Sequence, residues 1–175
     1  MPKSAIVSIL FAVLGFTTQV FGQKGSWVEF KKDNYRIEYP ESWILDTTHK
    51  TPADFIISSP LSSTEDQFKE NLNLVIQDLS GLGFDLDNFT ALSEQQIQNY
   101  MDESELIENE RLKKGDQEYQ HLIYTAKNTQ RVLRFEQYYW IINDKAYILS
   151  FTGELEKFDE YKAISKAIFE SFVLK

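Results

Sequence analysis

Two histidines, several clusters of carboxylates and no cysteine make up most of what this 175-residue sequence offers for acid–base, nucleophilic or metal chemistry. Neither His49 nor His121 sits in an H-E-x-x-H frame or has a second ligand at helical spacing, so neither is assigned a zinc site. His121 shares one face of an alternating segment with Tyr119 and Ile123 and reads as a structural histidine. Zinc ligation and a general-base role, the latter with a carboxylate in a hydrolase, are its alternatives. There is no G-x-S-x-G elbow for a nucleophilic serine. Gly81-Leu82-Gly83 lacks the downstream Lys-Ser/Thr that a phosphate-binding loop requires. The sequence therefore designates no catalytic, cofactor-binding or metal-ligating residue.

Asp78, Asp85, Asp87 and Asn88 place oxygen ligands close together in a glycine-containing segment, and hard cations such as calcium take oxygen ligands. The spacing departs from the EF-hand loop, which needs glycine at its sixth position and glutamate at its twelfth. The segment reads as a solvated loop, with Asn88 or Thr90 near a helix start and a weak calcium site at Asp85 and Asp87 as the alternative. Asn88-Phe89-Thr90 also forms a glycosylation sequon, relevant only in a host that uses it. Glu103, Glu105, Glu108 and Glu110 read as solvated charge rather than as an acid–base pair. Tyr138, Tyr139, Trp140, Tyr147 and Phe151 form an aromatic group on neighbouring segments. Alternation sends Tyr139 and Trp140 to opposite faces of a strand, so the group cannot line one groove and is expected to pack in the core. Where a helix covers its face incompletely, Trp140, Tyr138 and Tyr124 are the candidates for an amphipathic binding surface.

These residues need elements to hold them. Tyr35, Ile37 and Tyr39 alternate with Arg36 and Glu38, the pattern of a half-buried strand that Pro40 stops, and Trp43 follows as an anchor. Phe55 to Ile57 and Leu72 to Leu79 read as further strands, and residues 61–70 as a polar loop. Ser93 and Gln96 have capping-box spacing, flanked by Leu92 and Ile97, and predict a short helix carrying Ile97, Tyr100 and Met101 on one side. Four strands are predicted next, over 106–113, 118–126, 131–142 and 145–152. Gly115-Asp116, Asn128-Thr129 and Asn143-Asp144 separate them, connections short enough to join only antiparallel neighbours. Phe158, Tyr161, Ile164 and Ile168 then recur at helical spacing opposite Asp159, Glu160, Lys162, Lys166 and Glu170. The class is α+β, a mostly antiparallel sheet with helices packed on its faces.

A Tyr-rich strand ending in Tyr39-Pro40-x-x-Trp43, a central strand over 71–80, a following helix, and a Tyr147-x-Leu149-x-Phe151 strand leading to a helix that ends in Ser171-Phe172 resemble the PsbP-like fold. That family includes the PsbP subunit of photosystem II, the Ran-binding Mog protein and exported bacterial proteins of unassigned role. The resemblance spans about residues 27–174 and implies an α-β-α sandwich with a non-enzymatic accessory or binding role. No photosynthetic or Ran-binding residue set matches position by position, so neither function is carried over.

Residues 1–22 have the form of an export signal: Lys3, an apolar run from Ala5 to Phe16, and Val20 and Gly22 before a cut that leaves Gln23 first. The run is shorter than the roughly 20 apolar residues of a membrane-spanning helix, so no span is expected after cleavage. Without cysteine, a thioether-linked lipid anchor and disulfides are excluded. Residues 23–175 are expected to form a single domain, long enough to bury roughly 70% of its unfolded surface. The whole chain carries −9; loss of Lys3 leaves 17 basic against 27 acidic residues, or −10. That argues against nucleic acid or anionic lipid as a partner. The expectation is a periplasmic or secreted, non-catalytic domain that binds a protein of the envelope or extracellular space and needs no cofactor. A small-ligand or metal-binding protein is the second reading and a hydrolase using His121 the third. Intact-mass measurement on the native protein is expected to give a chain beginning near Gln23 and located outside the cytoplasm; full-length protein in a cytosolic fraction would remove the basis for export.

Overall fold

Connections of two residues oblige the strands they join to pair as antiparallel neighbours. The computed structural model, which describes residues 25–128 and 130–175, has that arrangement. The signal segment 1–22, Gln23 and the turn residue Thr129 lie outside the described residues. In chain order the elements are β1 (Trp27–Lys31), β2 (Tyr35–Pro40), β3 (Ile44–Asp46), β4 (Phe55–Ser58), β5 (Asn71–Asp78) and α1 (Leu86–Tyr100). They continue with β6 (Glu105–Lys114), β7 (Gln117–Asn128), β8 (Arg131–Ile142), β9 (Lys145–Glu154), α2 (Phe158–Ser171) and β10 (Val173–Leu174). The main sheet has the order β3-β4-β5-β9-β8-β7-β6, and β1-β2-β10 form a smaller one, with every pairing antiparallel. Asn143 and Asp144, both left-handed at φ 50° and 56°, join β8 to β9 in the manner of a type I′ hairpin. Among the described residues no helix is long and apolar enough to cross a membrane.

Alternation divides the interior into two cores. Toward one side point Leu72 and Leu74 of β5, Trp140 of β8, and Tyr147, Leu149 and Phe151 of β9. They meet Tyr35, Ile37 and Tyr39 of β2, the anchor Trp43, and Ile168 and Phe169 of α2. Phe169 stacks on Tyr138 at 4.4 Å between centroids, and Phe172 lies 5.3 Å from Trp140. Toward the other side point Leu122, Tyr124, Tyr139 and Ala146, beneath Phe89 and Ile97 of α1.

α1 starts at Leu86, seven residues before the predicted Ser93. Asp85 is its N-cap: the carboxylate accepts from the Asn88 amide at 2.8 Å while Asn88 Oδ1 accepts from the Asp85 amide at 2.9 Å. This is a capping box with Asn in the place usually held by Glu or Gln. Ser93 sits inside the helix, donating to the Phe89 carbonyl four residues back. β1, β3 and β10 were not predicted; each is short, and only their partners on β2 and β4 make them strands.

In α2 the predicted phase holds, with Ile168 fully buried, Tyr161 and Ile164 half-buried and Lys166 exposed. Ile168→Ala should cost about 2–5 kcal/mol and Lys166→Ala less than about 0.5 kcal/mol, measured by urea unfolding. Equal small losses would contradict the packing of α2.

Candidate functional site

α1 lies over β7, β8 and β9 without closing on them, because Phe89, Thr90 and Ile97 are the only residues it buries. A cleft of about 420 Å³ remains under its C-terminal half. Phe89, Ile97, Tyr124, Tyr139 and Ile148 supply its apolar walls, and Gln77, Gln96 and Gln137 bring amides to it. Tyr139 is held from below: its hydroxyl bonds Thr90 Oγ1 at 2.8 Å, and Thr90 in turn donates to the Leu86 carbonyl. Tyr124 is buried in the same wall. At the rim Tyr100 is 84% exposed. The cleft has the volume, apolar walls and few polar groups typical of a binding pocket, and no charged side chain lines it.

The opposite face holds the histidine. His121 is buried, with Nδ1 2.9 Å from Glu108 Oε1 and Nε2 3.0 Å from Glu136 Oε1, and its ring meets Tyr138 edge-on at 4.5 Å. A bulge in β6 creates this cluster. Leu106 pairs with Tyr124 on the α1 side, but the extra residue Ile107 brings Glu108 opposite Ile123 and Glu110 opposite His121, on the α2 side. Beyond Tyr138 a second cleft of about 380 Å³ opens between the β7–β8 hairpin and the end of α2, lined by Tyr119, Tyr138, Trp140, Phe172 and Leu174. His121 lines neither cleft.

Solved structures of the same architecture exist. CyanoP, the cyanobacterial PsbP of Synechocystis sp. PCC 6803, superposes with a TM-score of 0.60 over 86% of this chain and 94% of its own, at 18% identity. The fold is PsbP-like. A protein of unknown function from Pseudomonas aeruginosa superposes on 86% of the chain and 99% of its own length, with a TM-score of 0.62 and 13% identity. LpqN of Mycobacterium tuberculosis, described as involved in cell envelope biogenesis, covers 89% of this chain and 87% of its own, with a TM-score of 0.59 and 13% identity. No family model and no curated protein sequence matches the chain.

On this PsbP-like frame the sequence candidates fall in different places. Tyr138 and Trp140 share the α2 face, as alternation requires, but Tyr124 points to the α1 face, so the three do not form one surface. The register explains the correction: Tyr124 pairs with Phe135, an odd number of positions from Tyr138. The oxygens of the acidic segment are already engaged. Asp85 caps α1, Asp87 bonds Arg111 at 2.6 Å and Asp78 accepts from the Ser80 amide at 2.9 Å. Glu103 pairs with Lys127, and Glu105 and Glu110 are exposed, whereas Glu108 departs from the solvated reading through its contact with His121. Glu136, half-buried on β8, was not anticipated at all; its position opposite Ile123, two residues from His121 on the same face, becomes visible only once β7 and β8 are paired.

Burial raises the phenols of Tyr124 and Tyr139 to about 12 from an ordinary value of 10.0, the latter against the opposing bonds from Thr90 and Ser93. A phenol whose folded value lies above its unfolded one contributes stability below pH 10 that is lost as pH rises toward 12. Thermal stability should therefore fall across that window, and less steeply in Tyr124→Phe. An identical fall in the variant would place the Tyr124 hydroxyl outside this effect.

Proposed function

We propose that the chain is an exported, non-catalytic accessory domain that binds an envelope or extracellular protein through the cleft under α1. The observation that carries this reading is the open, uncharged cleft with Tyr100 standing 84% exposed at its rim. Exposed aromatic rings beside an apolar hollow are the usual anchors of protein interfaces. The amides of Gln77 and Gln96 suit the backbone of an extended segment, while a chain of net charge −9 disfavours an acidic one. The occupant that fits is a neutral or basic peptide segment inserting an apolar side chain. A non-catalytic role is supported by the absence of a hydroxyl or thiol nucleophile motif and by the position of His121, which lines neither cleft. Likeness to LpqN, a protein of cell envelope biogenesis, and the signal-like segment 1–22 support the compartment.

The Tyr124 phenol in the cleft lining favours a second reading, a small amphipathic ligand accepting or donating one hydrogen bond inside the cleft. A photoreactive residue at position 100 distinguishes the two in intact cells. The first reading expects a protein adduct that is absent with the same probe at Leu155, also exposed, and lost in Ile97→Glu. Adducts of equal yield at both positions would reject it. A ligand of low mass recovered with the purified protein and lost in Tyr124→Phe would support the second reading in its place.

A further inference from the structure

The contacts of His121 pose a proton-counting problem. A neutral imidazole has one N–H, yet both nitrogens lie within hydrogen-bond distance of a carboxylate oxygen. One of the gaps must hold a further positive centre, either a second proton or a metal ion. Three carboxylates converge there, those of Glu108, Glu110 and Glu136, and among the described residues no Lys or Arg lies within ion-pair distance of any of them.

The two gaps differ in kind. Glu136 has only 12% of its side chain exposed and faces Nε2, where it can accept the Nε2–H and fix the tautomer with the Nδ1 lone pair free. A carboxylate behind a histidine is the usual outer support of a metal-bound imidazole. Nδ1 faces the more open side, and there Glu108, Glu110 and His121 bring one ligand atom each to within 4.8 Å of one another. Glu110 is exposed, leaving an entry path and room for water as a further ligand.

We propose that Glu108, Glu110 and His121 Nδ1 form a binding site for a divalent first-row transition ion, Zn²⁺ foremost, with Glu136 positioning the imidazole. One imidazole with two carboxylates suits such an ion better than the all-oxygen shells of calcium or magnesium. Tetrahedral coordination at about 2.1 Å separates ligand atoms by about 3.4 Å. The ion therefore requires Glu108 to withdraw slightly from its 2.9 Å contact and Glu110 to close, motions within reach of two glutamate side chains that are not fully buried. The site clips the edge strand β6 to β7 on the face opposite the α1 cleft and stands independently of the function proposed for that cleft.

Calorimetric titration of the purified protein with Zn²⁺, Ca²⁺ and Mg²⁺ tests the assignment. One Zn²⁺ per chain is expected, with no comparable Ca²⁺ or Mg²⁺ binding. Affinity should fall at least tenfold in Glu110→Gln, an exposed position whose substitution leaves the core intact, and about 10–100-fold in Glu136→Gln through loss of imidazole support. Asp85→Asn, away from the cluster, should leave affinity unchanged. Imidazole NMR should show the Nε2 proton retained and Nδ1 bound when the ion is present. Absence of Zn²⁺ binding at millimolar free ion, an unchanged affinity in Glu110→Gln, or an equal loss in Asp85→Asn would each overturn the proposal.

Discussion

Both faces of the main sheet have to be kept dry, and that requirement sets the place of nearly every other group. Along β9, Ala146 and Ile148 point to one side and Tyr147, Leu149 and Phe151 to the other, so neither face can be left to water. The two coverings are unequal. On one side α2 works with the small β1-β2-β10 sheet, and rings from β2, β8, β9 and α2 interlock around Ile168 and Phe172. On the other side α1 alone must serve, and its C-terminal turn carries Tyr100 outward instead of inward. The cleft is the remainder of that inequality. It needs no strained backbone, because it is produced by a helix with few buried residues lying over a sheet face that is broadly apolar.

Elements whose signal is local were legible in the sequence. The four-stranded meander was, because each segment's own residues read as strand and the two-residue connections between them carry Gly115 or Asn143-Asp144. α2 was legible for the same reason at the helical period. β1, β3 and β10 were not, since strands of five, three and two residues are too short to carry a pattern of their own and owe their conformation to the strands they pair with. The start of α1 was misplaced because Ser93 and Gln96 imitate a capping box, while the real one uses Asp85 and Asn88. The same misplacement made Asp85 and Asp87 look like spare ligands, although one is a cap and the other the partner of Arg111.

The histidine cluster shows why polar sites are harder to read than cores. His121 and Ile123 were correctly put on one face, but nothing in the spacing of Glu108 and Glu110 marks them as facing it. An unbroken β6 would keep Leu106, Glu108 and Glu110 on the same side, and the apolar Leu106 belongs with α1. Only the bulge at Ile107 sends Leu106 one way and the glutamates the other. A one-residue irregularity carries no compositional flag here, since Ile107 is neither glycine nor proline and is simply 47% exposed. Glu136 is hidden for a different reason: it reaches His121 across a strand pair, and pairing is a property of register rather than of either segment alone.

Parity along the strands separates the two sites and also ties them to one another. Tyr124 and His121 are three residues apart on β7, an odd interval that puts one under α1 and the other beside Glu136. Tyr139 and Tyr138 divide in the same way on β8, the former bonded to Thr90 in the cleft wall and the latter packed on Phe169. Side chains of the two sites therefore touch different neighbours, and changes in one reach the other only through shared backbone. The exception is β6, where Leu106 packs toward α1 and Glu108 toward His121 on either side of a single unpaired residue. Without that residue Leu106 and Glu108 would share a face, so the packing toward α1 and the contact with His121 could not both be kept. The bulge is thus the one local feature on which both depend, and as an edge strand β6 has a partner on one side only to hold it there.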